Sequence, residues 1–117
     1  MKIETWPELE RQHVELGKCT WSIPRLIQLS KDLPVMELPL DAMNLAAIEY
    51  KYLNARGFVM HMNAVMQADL SYPIILDEDG EIMDGRHRII KALYTGELTI
   101  KAVRFNINPK ADHERNN

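Results

Sequence analysis

The segment "PIILDEDGEIMDGRHRII", residues 73–90, changes its periodicity partway along, and that change sets the fold class. Ile74-Ile75-Leu76 and Glu81-Ile82-Met83 are short β-prone runs. The polar tetrapeptide Asp77-Glu78-Asp79-Gly80 separates them, and its glycine predicts a hairpin turn. From Gly85 onward Ile89, Ile90, Ala92 and Leu93 fall on one helical face, and Gly96 marks the stop. "LTIKAVRF", residues 98–105, then supplies a closing strand. Strand, turn, strand, helix and strand in that order predict a mixed α+β (α/β) fold, a small mixed sheet with flanking helices.

Outward from this segment the signals are weaker. Residues 1–18, with scattered Trp6, Leu9, Val14 and Leu16, read as a loosely amphipathic helix. Ser22 followed by Ile23-Pro24 is an N-cap with proline in the first turn. Ile23, Leu26, Ile27 and Leu29 carry that helix to about Asp32, and Pro34 closes it. "VMELPL", residues 35–40, alternates as a short strand that Pro39 assigns to an edge or a strand end. Asp41 or Asn44 can cap a helix through Leu45, Ile48, Tyr52 and Leu53, with Gly57 as its stop. A further helix through Val59, Met62, Met66 and Leu70 ends before Tyr72-Pro73. Its methionines, 60, 62 and 66, read as core filling rather than a soft metal-ligand set. Residues 106–117 form a polar, frayed tail.

The 117 residues suit a single domain with one core. The expected organisation is a helical extension over 1–32, a core over 33–105 and the tail over 106–117. No apolar stretch approaches the ~20 residues of a membrane span. The N-terminal "MKIETWPELERQ" is charged and has no apolar signal region, so a cytoplasmic protein is expected. Cys19 is the only cysteine and has no ligand-spaced partner. The acidic run 77–80 lacks the glycine position and the following glutamate of a calcium loop. The net charge of −3 argues against a non-specific nucleic-acid coat and makes any DNA binding weak or indirect. Basic charge is nonetheless concentrated near the opening segment. Arg86, Arg88, Lys91, Lys101 and Arg104 stand against Asp84 and Glu97 between residues 84 and 105.

The helix start is the candidate site. Asp84 is placed to accept hydrogen bonds from the first helical amides, and Gly85 lacks a side chain that would bar a ligand. Arg86, His87 and Arg88 add charge at the positive end of the helix dipole. Backbone donors, permanent cations and an imidazole together suit phosphate oxygens. A capped helix with solvated arginines is the alternative. Asp84 would repel bare phosphate, so its charge must go to capping, to an arginine or to a magnesium ion carried by a nucleotide.

Pro73, the tetrad Gly85-Arg86-His87-Arg88, Ala92, Gly96 and the strand 100–105 resemble the nucleotide-binding core shared by the ParB N-terminal domain and sulfiredoxin. The upstream strand and helix extend that resemblance to roughly residues 33–105. It implies a ParB/sulfiredoxin-like fold that binds ATP, CTP or ADP, with the phosphates held at Gly85, His87 and Arg88. Two departures limit what it implies. Sulfiredoxins carry a reactive cysteine where this chain has Arg86, so a reductase is not expected. Chromosome-partition ParB proteins continue into a helix-turn-helix domain that does not follow here. Three functions remain open: a nucleotide-dependent phosphotransferase or NTPase, a DNA-associated plasmid or phage partition module, and a scaffold that binds a protein partner or a second copy. For the first, Glu37, Asp41 and Glu49 are the candidate general bases. For the third, Trp6 and Trp21 offer a docking face.

Overall fold

A computed structural model describes residues 13–43 and 54–116. Its elements run β1 (His13–Leu16), β2 (Cys19–Ser22), α1 (Ile23–Leu29), β3 (Met36–Pro39), a 3-10 turn (Leu40–Ala42), α2 (Ala55–Gln67), β4 (Ile74–Leu76), β5 (Ile82–Asp84), α3 (Arg86–Tyr94), β6 (Thr99–Arg104) and β7 (His113–Glu114). The class is mixed α+β, as expected. The strands form two sheets, ordered β1-β2-β7 and β3-β6-β4-β5. By internal packing the chain divides into two compact units. The first takes Met1–Pro34, Ile75–Asp84 and Arg104–Asn117, and the second takes Val35–Ile74 and Gly85–Val103.

In the first unit the expected helix over residues 1–18 is replaced, at its described end, by a β-hairpin. Leu16 pairs with Cys19 across a two-residue turn, and Gly17 takes φ +62° there. Such a turn matches the twist of paired strands and fixes the register. Val14 therefore lies opposite Trp21, and both are buried. Residues 1–12, including Trp6, lie outside the described part. Ser22 caps α1 as expected, its hydroxyl accepting from the Arg25 N–H, but the helix stops at Leu29 rather than Asp32.

The C-terminal segment is not frayed. β7 adds to β2, with Thr20 opposite His113 and Cys19 opposite Glu114. The Trp21 indole donates to the Pro109 carbonyl at 2.9 Å, so Trp21 is a core anchor and not a docking residue. The Asp112 carboxylate accepts from the Ser22 N–H at 2.7 Å and from Arg25 Nη1 at 3.2 Å. Polar composition suggested fraying, but these residues are held by backbone pairing and charge rather than by apolar burial.

The expected hairpin of β4 and β5 is present, with β5 one residue further along than the sequence indicated. Ile75 lies opposite Asp84 and Leu76 opposite Ile82, which leaves the buried Met83 as a bulge. Asp77 is buried, and its Oδ1 accepts from the Asp79 and Glu81 amides. The turn's carboxylate thus satisfies its own backbone. The Asn108 side chain and the Arg104 guanidinium hold Glu78 through its N–H and carbonyl.

In the second unit β3 pairs antiparallel with β6, Leu38 opposite Ile100, and Pro39 falls at the end of the edge strand. Leu40 opens the 3-10 turn instead of extending β3, and it is buried. The helix expected through Leu45 and Leu53 lies outside the described residues. Gly57 does not stop it. Asn54 caps a new helix, α2, and its Oδ1 accepts from the Gly57 N–H at 2.9 Å. Gly57 is therefore in the first turn of α2. α2 buries Ala64 and Val65, while Val59, Met60, Met62 and Met66 are 48–62 % exposed. The methionines are surface residues, contrary to the core-filling expectation. α3 buries Ile89 and Ala92, whereas Leu93 is exposed. Gly96, at φ +78°, ends α3 as expected. Its N–H bonds the Leu93 carbonyl and the Glu97 N–H bonds the Ala92 carbonyl, the paired closure of a Schellman motif. No helix among the described residues is long and apolar enough to cross a membrane.

The Asp112 cluster predicts a specific pH response. The Ser22 N–H foremost, aided by the Arg25 guanidinium, holds the Asp112 carboxyl below its usual 3.8 against the opposing effect of desolvation. A carboxyl whose pKa is depressed by folding stabilises the fold above its unfolded pKa and loses that contribution as pH falls through its folded pKa. Asp112→Asn should therefore lower the thermal midpoint at pH 7. The gap from the parent should close below about pH 4, as followed by circular dichroism melts across pH. A gap that does not narrow at all as the pH falls from 7 through the acid range would assign Asp112 no electrostatic role.

Candidate functional site

β5 hands over to α3 through one residue. Asp84 is the last residue of the strand, and the N-cap position belongs to Gly85, which has φ +112° and ψ +19°. Gly85 at the N-cap position has no side chain of its own with which to cap α3. The Gly85 carbonyl accepts the first helical bond, from the Ile89 N–H at 3.0 Å. The first-turn amides of Arg86, His87 and Arg88 precede that bond and so have no carbonyl within the helix to reach.

Gly85 has a structural reason to lack a side chain. A Cβ built there would lie 2.8 Å from Ile74 Cβ and 3.1 Å from Ile74 Cα, and closer still to Ile74 Cγ2. The left-handed φ also disfavours any L side chain. Sequence reasoning credited Gly85 with giving a ligand room. Packing on Ile74 accounts for the residue without a ligand.

Arg86, His87 and Arg88 occupy one turn and are each half-buried. Successive helical residues turn by ~100°, so Arg86 and Arg88 diverge while His87 and Arg88 are neighbours. The structure adds a residue that sequence reasoning missed. His61 of α2 lies beside His87, with ring centroids 5.2 Å apart and planes tilted by 54°. Nothing in the local sequence around His61 announced this, because the pairing depends on α2 packing against α3. Lys91 reinforces the same packing. Its ammonium donates to the Met66 carbonyl at 2.9 Å and the Ala68 carbonyl at 2.6 Å, at the negative end of α2. Beyond that end, Asp69 accepts from the Ser71 hydroxyl and N–H. These bonds, led by the hydroxyl, hold its carboxyl below the usual range, with smaller contributions from Lys91 and Arg88.

The candidate bases are dispersed. Glu37 Oε2 accepts from the Thr99 hydroxyl at 2.8 Å in the β3–β6 ladder, and it is exposed. Asp41 is an exposed residue of the 3-10 turn. Glu49 lies outside the described residues. No group of three or more His, Cys, Asp or Glu side chains that could hold a metal ion occurs among the described residues. Cys19 is a half-buried thiol on β2.

The tip of α3 gathers three first-turn amides, two guanidinium groups and an imidazole within one turn. This donor set suits a phosphoryl group or another oxyanion. The backbone that creates it is sensitive at Gly85. Gly85→Ala should cost roughly 2–4 kcal/mol, combining left-handed strain with overpacking on Ile74. Gly80 has φ +85° with open space around it, so Gly80→Ala should cost only ~1 kcal/mol. Urea unfolding of both variants separates the two terms, and equal midpoints would refute the packing account. No family model, curated protein or solved structure matches the chain.

Proposed function

We propose that this protein binds a nucleotide (ATP, CTP or ADP) through its phosphates at the first turn of α3. The observation that carries this reading is an α3 whose N-cap is glycine and whose first turn is Arg86, His87 and Arg88. The β5–Gly85–α3 handover also agrees with the resemblance to the ParB and sulfiredoxin core. Gly85 sets the direction of the amides, and Arg88 and His87 supply side-chain donors from adjacent positions. Arg86 contributes long-range attraction from the other side of the turn. His61 orients His87 by ring contact. Asp69 competes with a ligand for the field of Arg88, which favours a multiply charged phosphate over a monoanion.

A nucleotide would bring magnesium on its phosphate oxygens, a mode that needs only one or two protein carboxylates. Asp84, at the end of β5, is the nearest such group in sequence. Phosphoryl transfer is the further step of this reading. It requires a base at the α3 tip, whereas Glu37 is engaged by Thr99. Binding without turnover is therefore the core of the proposal.

Thermal melts with ATP, CTP, GTP and ADP, with and without magnesium, test it. A ligand at ~100 times its Kd stabilises by ~2.7 kcal/mol, a shift of several degrees for a domain of this size. Arg88→Gln should reduce the shift severalfold, and Arg86→Gln should reduce it less. Gly85 variants are unsuitable here because they disturb the fold itself. If no nucleotide at millimolar concentration moves the midpoint, or if Arg88→Gln leaves the shift intact, the reading fails.

A further inference from the structure

Residues 106–116 run as a strap along the outer edge of β2, and none of them is buried. The strap is tied down by polar contacts. The Asn108 side chain accepts from the Glu78 N–H at 2.8 Å, and the Pro109 carbonyl accepts from the Trp21 indole. Arg25 Nη1 donates to the Lys110 carbonyl at 2.6 Å and to the Asp112 carboxylate at 3.2 Å. The Asp112 N–H donates to the Thr20 carbonyl and the Arg115 N–H to the Lys18 carbonyl, while the Asp112 carboxylate accepts from the Ser22 N–H. Arg115 and Glu15 pair at 3.2 Å through exposed side chains. Hydrogen bonds in water and exposed ion pairs contribute little beyond the entropy of ordering the chain that makes them. Segments held in this way open at a lower free energy than the whole fold.

Opening the strap uncovers a strand edge. The Lys18 and Thr20 carbonyls and the Ser22 N–H lose these partners, while β1 still pairs with β2 on its other side. Such an edge accepts an extended segment that matches its donors and acceptors. The strap itself shows what matches. It offers extended backbone and a carboxylate that meets both the Ser22 N–H and the Arg25 guanidinium. We infer that the β2 edge is a strand-acceptor site closed in cis by residues 106–116. Its occupant in trans is an extended segment of another protein with a carboxylate in the place of Asp112. Only the open form binds, so the open fraction of the strap scales the affinity for that segment. This inference does not depend on phosphate binding at the α3 tip.

Hydrogen exchange on the full chain tests the opening. The Asp112 and Arg115 amides should be roughly tenfold or more less protected than the Phe105 amide, which donates to the Leu76 carbonyl. The probe for the edge is a fluorescein-labelled peptide with the sequence of residues 106–116. Its anisotropy should rise saturably with protein at a high-micromolar Kd, since the cis strap competes at an effective concentration on the order of millimolar. The same peptide with lysine in place of its aspartate should bind roughly tenfold more weakly. A reversible lock then locates the binding. Cys19 is the only cysteine and lies directly opposite Glu114, so Glu114→Cys sets two thiols at a cross-strand separation. Reduced, this variant should bind the peptide as the parent does. Oxidised, it should bind roughly tenfold more weakly or not at all. Protection of Asp112 and Arg115 equal to that of Phe105 would overturn the inference, because the strap would then open only with the core. Absence of peptide binding, equal binding of the lysine peptide, or equal binding to the cross-linked protein would overturn it as well.

Discussion

The close approach of Gly85 to Ile74 is the constraint on which the second unit depends. Any side chain at Gly85 would run into the Ile74 side chain at its Cβ and Cγ2, and φ +112° at Gly85 is what turns a strand into a helix without a loop. Two consequences follow. α3 starts at a fixed position, so Ile89 and Ala92 are buried, and the helix closes on Gly96. With glycine at the N-cap, the first turn of α3 brings the positive end of the helix dipole together with Arg86, His87 and Arg88.

From that anchored helix the neighbouring element, α2, is held at its middle and at its C-terminal end. His87 meets His61 near the start of α3, and Lys91 reaches the last carbonyls of α2. These are charge and ring contacts, and they leave much of the apolar surface of α2 uncovered. The first unit is built differently. It is tied by β7 on β2, the Trp21 indole on the Pro109 carbonyl and Asp112 between Ser22 and Arg25.

Local chemistry was legible wherever one residue's backbone preference settles its own surroundings. The Asp77–Gly80 turn, the Ser22 cap with Pro24 behind it, the Gly96 stop and the change from strand to helix after residue 84 are all of this kind. They follow from φ preference and from side chains that bond amides two or three residues away. The place of the tetrad at a helix start was legible for the same reason.

Tertiary structure decided what depends on residues distant in the chain. Gly85 was read as clearance for a ligand, and the fold adds a second demand on it, the close approach of Ile74, eleven residues earlier on β4. Gly57 looked like a stop and lies in a first turn, because Asn54 supplies a cap that outweighs one glycine. The tail looked frayed, but its fixation comes from amides and charges of residues ~90 positions away, which carry no apolar periodicity to read. His61 joined the site only through helix packing. The methionines of α2 show the limit most clearly. Their spacing determined that they share a helix, but whether such a face points to the core or to water depends on what else the chain has to cover it, which no local pattern records.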